Sequence, residues 1–311
     1  MIKTNSSRNI LANRDALFGA AFALLSAIGY SGKAILVKLA YLDIPDAVTL
    51  QALRMGFSVP FFIGMVLWDR RQHSEALGMR NWLLVLALGM IYYFASILDF
   101  LGLQYISAGL ERLIVYLYPT MTVILSAVVY RRAIGRKTIT AMLLCYAGIV
   151  LVFLHNTEIQ QESIWLGAAL VFASTLSLAV YFLGVGHAVA RIGATRFTAY
   201  SLLVTSAASL LHFATTRPLS TLNLPPLVYQ LAFSMAIFST VLPGYLLFYA
   251  IRRIGSANTS MISSIGPIST IYLAYVFLNE GISLLQILGS ALVLGGVLII
   301  SLGSGPEIRR G

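Results

Sequence analysis

The sequence predicts an all-α polytopic membrane protein whose ten transmembrane helices form two inverted five-helix repeats. The chain is 59% hydrophobic and only 10% charged, with a mean hydropathy of +0.86. Apolar runs of about 20 residues, long enough to cross a bilayer as a helix, recur along its whole length. The chain also matches itself at an offset of 148 residues, which indicates an internal repeat.

The composition excludes several classes of protein. A soluble domain of 311 residues needs a larger polar fraction to cover its surface. The formal net charge of +10 would suit a nucleic-acid-binding protein, but the basic residues lie in short loops between apolar segments, where they act as topology signals. We therefore expect the lipid bilayer and a small-molecule substrate as partners, and no nucleic acid.

Enzyme and metal chemistry find no support in the sequence. The one cysteine, Cys145, lies in an apolar run; it excludes an intramolecular disulfide and makes no metal site alone. The four histidines are scattered near span ends or loops, without an HExxH motif or another ligand spacing. We expect no enzyme activity, no cofactor and no metal site.

The ten predicted spans follow one another with mostly short connections. Each span is a run of predominantly apolar residues long enough for a transmembrane helix. They cover residues 16–40, 46–68, 81–103, 106–130, 139–155, 165–187, 196–216, 227–251, 256–278 and 284–302. The chain then divides into an amino-terminal tail (1–15), a first repeat (16–155), a second repeat (165–302) and a carboxy-terminal tail (303–311).

An even number of spans places both termini on one side of the membrane. Most of the 21 lysines and arginines lie on that side, in the tails and in the loops near 69–80, 131–138, 188–196 and 252–255. The loops of the other side carry essentially one base, Arg217. By the positive-inside rule both termini are cytoplasmic. We expect a multi-pass protein of the plasma membrane, which is the inner membrane in a bacterium.

The internal repeat pairs residues of the two halves without a gap. The pairs are Gly19 with Gly167, Ser26 with Ser174, Phe100 with Phe248, Ile106 with Ile254, Pro119 with Pro267, and Gly148 with Gly296. Because each repeat holds five spans, an odd number, the second copy inserts upside down relative to the first. Inverted repeats are typical of secondary transporters, whose substrate site lies near the midplane between the halves. The alternative is an old duplication with no role in transport.

Two segments carry a family resemblance that covers nearly the whole chain. The stretch "YLLFYAIRRIGSANTSMISSIGPISTIYLAYVFLNEGISLLQILGSALVLGGVLII" (245–300) resembles the EamA type of the drug/metabolite transporter superfamily, and its partner at 100–154 is similar but more divergent. The resemblance implies ten helices around a central cavity, alternating access, and export or exchange of small metabolites such as amino acids. Glu280 matches the acidic residue that usually follows the fourth helix of each repeat, whereas the first repeat has Arg132 there.

Five charged residues lie deep inside the predicted spans, where charges are expensive and usually face the protein interior, whereas Lys38 lies near the outer end of span 1 and can snorkel. They are Lys33 in span 1, Arg54 in span 2, Asp99 in span 3, and Glu111 and Arg112 in span 4. Counted from the outer ends of their spans, all five lie roughly 8 to 12 Å deep. The five side chains therefore share one layer, and their counterparts in the second repeat are uncharged.

The hairpin of spans 3 and 4 suggests partners for these charges. Its turn is very short, so Asp99 and Arg112 lie at matching depth, and an ion pair between them would remove the cost of two lone charges. Glu111 points about 100° away from Arg112 on the same helix and needs another partner. Either Lys33 or Arg54 can supply it.

The charged cluster has two interpretations, which the sequence leaves open. One is a structural ion-pair network. The other is a site for the substrate or a coupling ion, in which three bases against two acids leave one positive charge for a carboxylate. In this second interpretation Asp99 and Arg112 form the structural or coupling ion pair, while tyrosines and a span 9 serine line the site. The candidate substrate-binding residues are Lys33, Arg54, Tyr92, Glu111, Tyr116 and Ser260.

Two prolines at equivalent repeat positions are candidate hinges. Pro119 deprives the carbonyl of Val115 of its helical donor, and Pro267 does the same to Ser263. Paired kinks are natural places for the movement that opens and closes a central site. Static kinks that only improve packing are the alternative.

Together these features predict a secondary transporter, an exporter of small amino-acid-like or other carboxylate-bearing metabolites that works by alternating access. Multidrug relatives typically use a membrane-embedded glutamate in the first helix; span 1 has Lys33 and no acid, which argues against a dedicated cation exporter. Multidrug, sugar or nucleotide-sugar transport is the alternative within the superfamily, and a membrane scaffold the alternative outside it. Protons are the candidate coupling ion, and we expect a monomer or weak homodimer.

Overall fold

The structure, a computed structural model, describes residues 3–72, 77–131, 133–159 and 163–303. This part of the chain contains α-helices joined by short connections and no strand. The helices are α1 (Lys3–Ala40), α2 (Ala47–Gln72), α3 (Met79–Gly102), α4 (Ala108–Val115), α5 (Tyr118–Tyr130), α6 (Arg136–Ile159), α7 (Ile164–Ile192), α8 (Ala194–Thr216), α9 (Pro226–Ala236), α10 (Leu242–Ser263), α11 (Gly266–Leu278) and α12 (Leu284–Gly303). A 3₁₀ turn precedes α9, and a π-helical turn joins α9 to α10.

Ten crossings account for these helices. Nine segments of the described chain are long and apolar enough to span a membrane, and the shorter apolar helix Leu284–Ile299 supplies the tenth. The prediction of an all-α polytopic protein is therefore confirmed. Helix α1 begins at Lys3, inside the segment that the sequence assigns to the amino-terminal tail. Residues 304–311 of the other predicted tail lie outside the described residues.

The crossings give the molecule two faces. We call the side on which α1 begins and α12 ends the terminal face, and the other side the opposite face. The terminal face holds the connections that follow α2, α5 and α7, and the opposite face holds those that follow α1, α3, α6, α8 and α11. Gly255, with φ +79° and ψ 162°, breaks α10 at the terminal face and so separates the eighth crossing from the ninth. A left-handed φ of this kind favours glycine.

The fourth and ninth crossings are each broken into two helices at the same repeat position. Helix α4 ends at Val115 and α10 ends at Ser263, and short turns lead into α5 and α11. Pro119 and Pro267 lie in the first turn of the helix that follows, where a missing N–H group removes no bond within that helix but leaves the carbonyl four residues earlier, at Val115 or Ser263, without a helical donor. The prolines therefore start a second helix and do not bend a continuous one.

Contacts between the halves repeat with the halves exchanged. The Ser26 hydroxyl donates to the carbonyl of Pro243 over 2.8 Å, and its counterpart Ser174 donates to the carbonyl of Ala95 over 2.6 Å. Each residue of the second bond lies 148 positions from the matching residue of the first. This reciprocity is the signature of a pseudo-two-fold axis relating the two repeats.

Glycines let equivalent helices approach closely along this axis. A Cβ atom at Gly148 on α6 would lie 2.5 Å from the carbonyl oxygen of Gly289 on α12. Its repeat partner, Gly296 on α12, is pressed in the same way against the carbonyl oxygen of Ala141 on α6. Helices α1 with α10, α3 with α7 and α2 with α8 also pack across the two halves. The core is thus built between the repeats as well as within them, and small residues permit the closest approach.

Two ion pairs connect α2 to α8, one at each face. At the opposite face, Arg217 binds Asp46 through two hydrogen bonds of 2.9 Å each, and Asp46 also accepts from the backbone N–H of Thr49 in the first turn of α2. At the terminal face, Arg196 lies 3.1 Å from Asp69. The acid lies on α2 or directly before it, and the base lies on α8 or directly after it.

Asp46 makes the stability of the fold depend on pH. Burial raises the pKa of Asp46, but hydrogen bonds from Arg217 and Thr49 outweigh burial, so the pKa falls below its ordinary value of 3.8. We expect Asp46→Asn to keep a capping side chain and lose the ion pair, at about 0.5–1 kcal/mol of unfolding free energy near pH 7. Asp46→Ala loses the cap too and costs about 1 kcal/mol more.

The pH dependence follows from the direction of the shift. A lowered folded-state pKa gives stability that is complete above the unfolded-state pKa and is lost as the pH falls through the folded-state pKa. Thermal melts of the detergent-solubilised protein should therefore show the gap between wild type and Asp46→Asn closing below about pH 4. Asp43→Asn, at an exposed aspartate of the same loop, is the control. An equal loss in Asp43→Asn, or a gap that does not change with pH, would contradict the assignment.

Candidate functional site

Three of the predicted charged residues form one buried ion cluster. The Lys33 ammonium on α1 lies 2.5 Å from Asp99 Oδ2 on α3 and 3.5 Å from Glu111 Oε1 on α4. The Glu111 side chain is fully buried, and the Lys33 side chain retains 18% of its exposure. A lysine between two carboxylates compensates charges that would each be costly if buried alone. The cluster connects three helices of the first repeat.

The predicted ion pair between Asp99 and Arg112 is wrong. Asp99 pairs with Lys33, which the sequence interpretation had left without a fixed partner. The short α3–α4 turn does place Asp99 and Arg112 at similar depth, but depth along a helix does not determine the direction in which a side chain points. Glu111 is the α4 residue that reaches the cluster.

Arg54 on α2 is held by uncharged neighbours. Its Nη2 atom donates to the hydroxyl of Ser96 over 2.7 Å, and Ser96 donates in turn to Gln51 over 3.2 Å. The guanidinium lies over the ring of Phe100 at 4.8 Å from the ring centre, a favourable cation–π arrangement. Ser96 and Gln51 thus fix the position of Arg54 without neutralising it.

Arg112 on α4 has a similar environment. Its guanidinium lies over the ring of Tyr116, 5.3 Å from the ring centre, and close to the start of α11. A Cβ atom at Gly266 would overlap the Tyr116 hydroxyl and would touch Arg112 Nη2 at 3.4 Å, so a larger residue at this position would displace the Tyr116 side chain. The absence of a side chain at Gly266 lets the fourth and ninth crossings meet here.

Tyr116 satisfies a carbonyl that Pro267 leaves without a helical donor. Pro267 has no N–H group, so the carbonyl of Ser263, four residues earlier, cannot receive the usual helical bond. The Tyr116 hydroxyl donates to that carbonyl over 2.8 Å. Tyr116 was predicted to bind substrate. In the structure its hydroxyl donates to the Ser263 carbonyl, and this bond connects Tyr116, directly after α4, to the helix break of the ninth crossing.

Several buried polar atoms around the ion cluster have no hydrogen-bond partner. Two are donors, the Nε atoms of Arg54 and Arg112, and two are acceptors, Asp99 Oδ1 and Glu111 Oε2. All four residues are at least nine-tenths buried. An unpaired buried polar group is costly, so a cluster of such groups favours a binding role at this position. Donors and acceptors side by side can bind a molecule that carries groups of both kinds.

Tyrosines surround these groups. The ring of Tyr92 packs 5.0 Å from that of Tyr181, and Tyr118 stacks on Phe182 at 4.9 Å. Tyr30, one helical turn before Lys33, lies within electrostatic range of Tyr92, Tyr181 and Arg112. The sequence analysis missed Tyr30 and Gln51; a polar side chain facing inward from an otherwise apolar span is the signal that could have identified them.

The other residues predicted for the site are Ser260 and the two prolines, Pro119 and Pro267. The side chain of Ser260 lies outside the described part of the structure, although its backbone belongs to α10. Pro119 and Pro267 mark the two helix breaks. Within the described residues, no group of three or more His, Cys, Asp or Glu side chains is placed to hold a metal ion.

Comparison with known proteins decides the family. The model of the EamA-like transporter family matches residues 17–154 and again residues 165–302, one match for each half of the chain. The chain belongs to the EamA-like transporter family. The resemblance seen in the sequence is confirmed, and with it the two-repeat architecture of a transporter in the drug/metabolite superfamily.

Relatives of this EamA-like chain are also named as transporters. An uncharacterized transporter of Bacillus subtilis strain 168, YcbK, is 30% identical over 96% of this chain and 95% of its own length. A second from the same organism, YyaM, is 29% identical over 71% of this chain and 74% of its own. A solved crystal structure shares the fold with a TM-score of 0.64 at 18% identity, covering 92% of this chain and 97% of that one. Family and relatives indicate a transporter rather than an enzyme.

The bond between Tyr116 and Ser263 can be tested by a double-mutant cycle. We expect Tyr116→Phe to cost about 1–3 kcal/mol of unfolding free energy, because the Ser263 carbonyl loses its donor. Pro267→Ala restores an N–H group that can donate to this carbonyl within a continuous helix. Tyr116→Phe should therefore cost about 1 kcal/mol less in the Pro267→Ala background, as measured by denaturant unfolding in detergent.

The neighbouring tyrosine supplies the control for this cycle. Tyr118→Phe removes a hydroxyl from the same turn but leaves the Tyr116 bond intact, so its cost should be the same with proline or alanine at position 267. Additive costs for Tyr116→Phe and Pro267→Ala would show that the hydroxyl does not substitute for the missing helical donor.

Proposed function

We propose that this EamA-like transporter exports small carboxylate-bearing metabolites, amino-acid-like solutes among them, by alternating access. The observation that carries the proposal is the pair of buried arginines, Arg54 and Arg112, each with an unpartnered Nε donor. Guanidinium groups bind carboxylates through directed, charge-assisted hydrogen bonds. Arg54 contacts the Ser96 hydroxyl and the Phe100 ring, and Arg112 contacts the Tyr116 ring, so these contacts are all with uncharged groups.

Because Lys33 belongs to the ion cluster, Arg54 and Arg112 are the bases available to the substrate carboxylate. Lys33 pairs with both Asp99 and Glu111, so it serves as the internal counter-ion of these acids. The net positive charge of the five residues then rests on Arg54 and Arg112. Buried positive charge that lacks an anion favours binding of a negatively charged solute. In this assignment Lys33 is not the residue that holds the carboxylate.

The acceptors of the cluster suit the other end of an amino-acid-like solute. Asp99 Oδ1 and Glu111 Oε2 are buried and unpartnered, and both belong to carboxyl groups that can accept from an ammonium group. The surrounding tyrosines, Tyr30, Tyr92 and Tyr181, offer rings that pack against an apolar body. A dedicated exporter of lipophilic cations is disfavoured, because the three bases of the site, Lys33, Arg54 and Arg112, outnumber its two acids and repel a solute that carries only positive charge.

Protons are the coupling ion that this cluster favours. Asp99 and Glu111 share Lys33, so a solute that shifts Lys33 changes how much negative charge the two carboxyl groups can hold. Uptake of a proton by one carboxyl group would balance that change. We also propose that the terminal face is cytoplasmic, since it carries most of the lysines and arginines.

The roles of Arg112 and Lys33 can be separated in one experiment. Arg112→Gln removes a base that pairs with no carboxylate, so we expect a stability change below about 1 kcal/mol and a KM for carboxylate solutes at least about tenfold higher. Lys33→Met leaves two buried carboxylates uncompensated and should cost about 3–5 kcal/mol. Thermal melts and saturable flux in proteoliposomes, with and without a pH gradient, measure these effects.

Arg191→Gln, at an exposed arginine of the terminal face, is the matched control and should change neither quantity. Normal carboxylate transport by Arg112→Gln would overturn the role of Arg112. Flux confined to lipophilic cations or sugars would overturn the substrate class, and flux that ignores the pH gradient would exclude proton coupling. Absence of saturable flux for every solute tested would favour a membrane scaffold.

The orientation proposal has its own test. Reporter fusions at residue 160, between α6 and α7 in the sequence, and at the carboxy terminus should report opposite compartments, with the terminus cytoplasmic. Alkaline phosphatase is active only outside the cytoplasm and green fluorescent protein fluoresces inside it, so the two reporters give complementary readings. Matching signals at the two positions would mean that the second repeat is not inverted.

A further inference from the structure

The two arginines of the site have separate surroundings. The guanidinium of Arg54, on α2, lies against Ser96 and Phe100 of α3. The guanidinium of Arg112, on α4, lies over the Tyr116 ring, and its Nη2 atom approaches the start of α11. Each arginine keeps an unpartnered Nε donor. Two guanidinium groups that different neighbours hold on different helices are two anchors, and each can bind a carboxylate of its own.

Each anchor lies near one carboxyl group of the ion cluster. Asp99 is within electrostatic range of Arg54, and Glu111 is within range of Arg112. Both carboxyl groups contact the ammonium of Lys33, within 3.5 Å, so they lie side by side. The second oxygen of each, Asp99 Oδ1 and Glu111 Oε2, has no hydrogen-bond partner. An ammonium group carries three donors, so one such group of a solute can bind both of these oxygens.

The formal charges of the site do not balance. Three bases and two acids leave one positive charge, and none of the counterparts 148 residues further along the chain is charged. These counterparts are Tyr181, Leu202, Leu247, Thr259 and Ser260. An uncompensated charge inside the membrane is costly. A solute with one net negative charge therefore compensates the site best.

We propose that the substrate is an acidic amino acid, a solute that carries two carboxylates and one ammonium group. The proposal rests on the carboxylate transport of the proposed function and narrows it. Arg54 binds one carboxylate and Arg112 binds the other, while the ammonium group lies against Asp99 and Glu111. The solute then supplies a partner for every unpartnered atom of these four residues, and its one negative charge balances the site.

Other carboxylate solutes satisfy only part of the site. An amino acid with a neutral side chain has no net charge and leaves one arginine without an anion. A dicarboxylate that lacks an ammonium group leaves both carboxyl oxygens unpaired and brings a second negative charge. A simple monocarboxylate has the right charge but leaves one arginine and both oxygens without partners. Because an unpaired group stays costly in a buried site, these solutes should be poorer substrates.

Solutes that each lack one group of glutamate test this assignment in the unmodified protein. Glutamine replaces the side-chain carboxylate by an amide, 4-aminobutyrate lacks the α-carboxylate, and glutarate lacks the ammonium group. Asparagine, β-alanine and succinate are the corresponding analogues of aspartate. For glutamate or aspartate, we expect kcat/KM of saturable flux in proteoliposomes to exceed that of each of its three analogues at least about tenfold.

Each analogue decides one part of the proposal. If glutamine and asparagine, or 4-aminobutyrate and β-alanine, are transported as well as the parent acids, the requirement for two carboxylates is overturned. If glutarate and succinate are transported as well as the parent acids, the ammonium subsite is overturned.

Three variants assign the subsites. Arg54→Gln and Arg112→Gln each lack one anchor, so each should lose discrimination against one analogue only, glutamine for one variant and 4-aminobutyrate for the other. Glu111→Gln leaves Lys33 paired with Asp99 and should bring kcat/KM for glutarate within about threefold of that for glutamate. The control, Arg191→Gln at an exposed arginine, should keep the wild-type ranking. Loss of the same discrimination in both arginine variants would overturn the two separate anchors.

The solute series also separates this proposal from the proposed function. Saturable flux of carboxylate solutes without a preference for acidic amino acids would support the proposed function and overturn the acidic substrate. Absence of saturable flux for every carboxylate solute would overturn both.

Discussion

The need to compensate buried charge within the membrane determines the arrangement of the first repeat. Lys33, Asp99 and Glu111 come from three helices and meet at one point, because each would be costly alone at that depth. Their meeting orients α1, α3 and α4 with respect to one another. Both acids of the layer pair with Lys33, so the hydrogen-bond and ring contacts of Arg54 and Arg112 are with uncharged groups, and each arginine keeps an unpartnered Nε donor. The chemistry available to a substrate follows from this distribution.

The two repeats have similar backbone conformations but different side chains at equivalent positions. Equivalent glycines, helix breaks and serine-to-carbonyl bonds recur with the halves exchanged, down to left-handed residues at Arg131 and Asn279. The five charged residues of the site lie in the first repeat only. A pseudo-symmetric backbone can adopt a conformation, and the same conformation with the two halves exchanged, at similar energy, whereas unequal side chains decide which of the two is preferred and where the solute binds. The difference between Glu280 and its counterpart Arg132 is a further inequality of this kind.

Sequence patterns predict the features that depend only on the position of residues along the chain. Span number, repeat offset and the depth of the charges follow from run lengths and spacing, and the structure agrees with the first two. The partner of Asp99 could not be derived in this way, because the direction in which a helix face points depends on packing among several helices. The Tyr116 bond was also missed: Pro267 predicts an unpaired carbonyl at Ser263, but no local pattern identifies a donor 147 residues away.

The contacts of Arg112 connect the proposed site to the break in the ninth crossing. Arg112 lies over Tyr116, and the Tyr116 hydroxyl donates to the carbonyl of Ser263 at the break that precedes α11. A carboxylate that draws Arg112 away from the tyrosine ring would act on the residue that joins α4 to this break. Binding energy at the site can therefore reach α11 through two side chains and one carbonyl, so the helix break coincides with the position at which a bound solute can act on the ninth crossing.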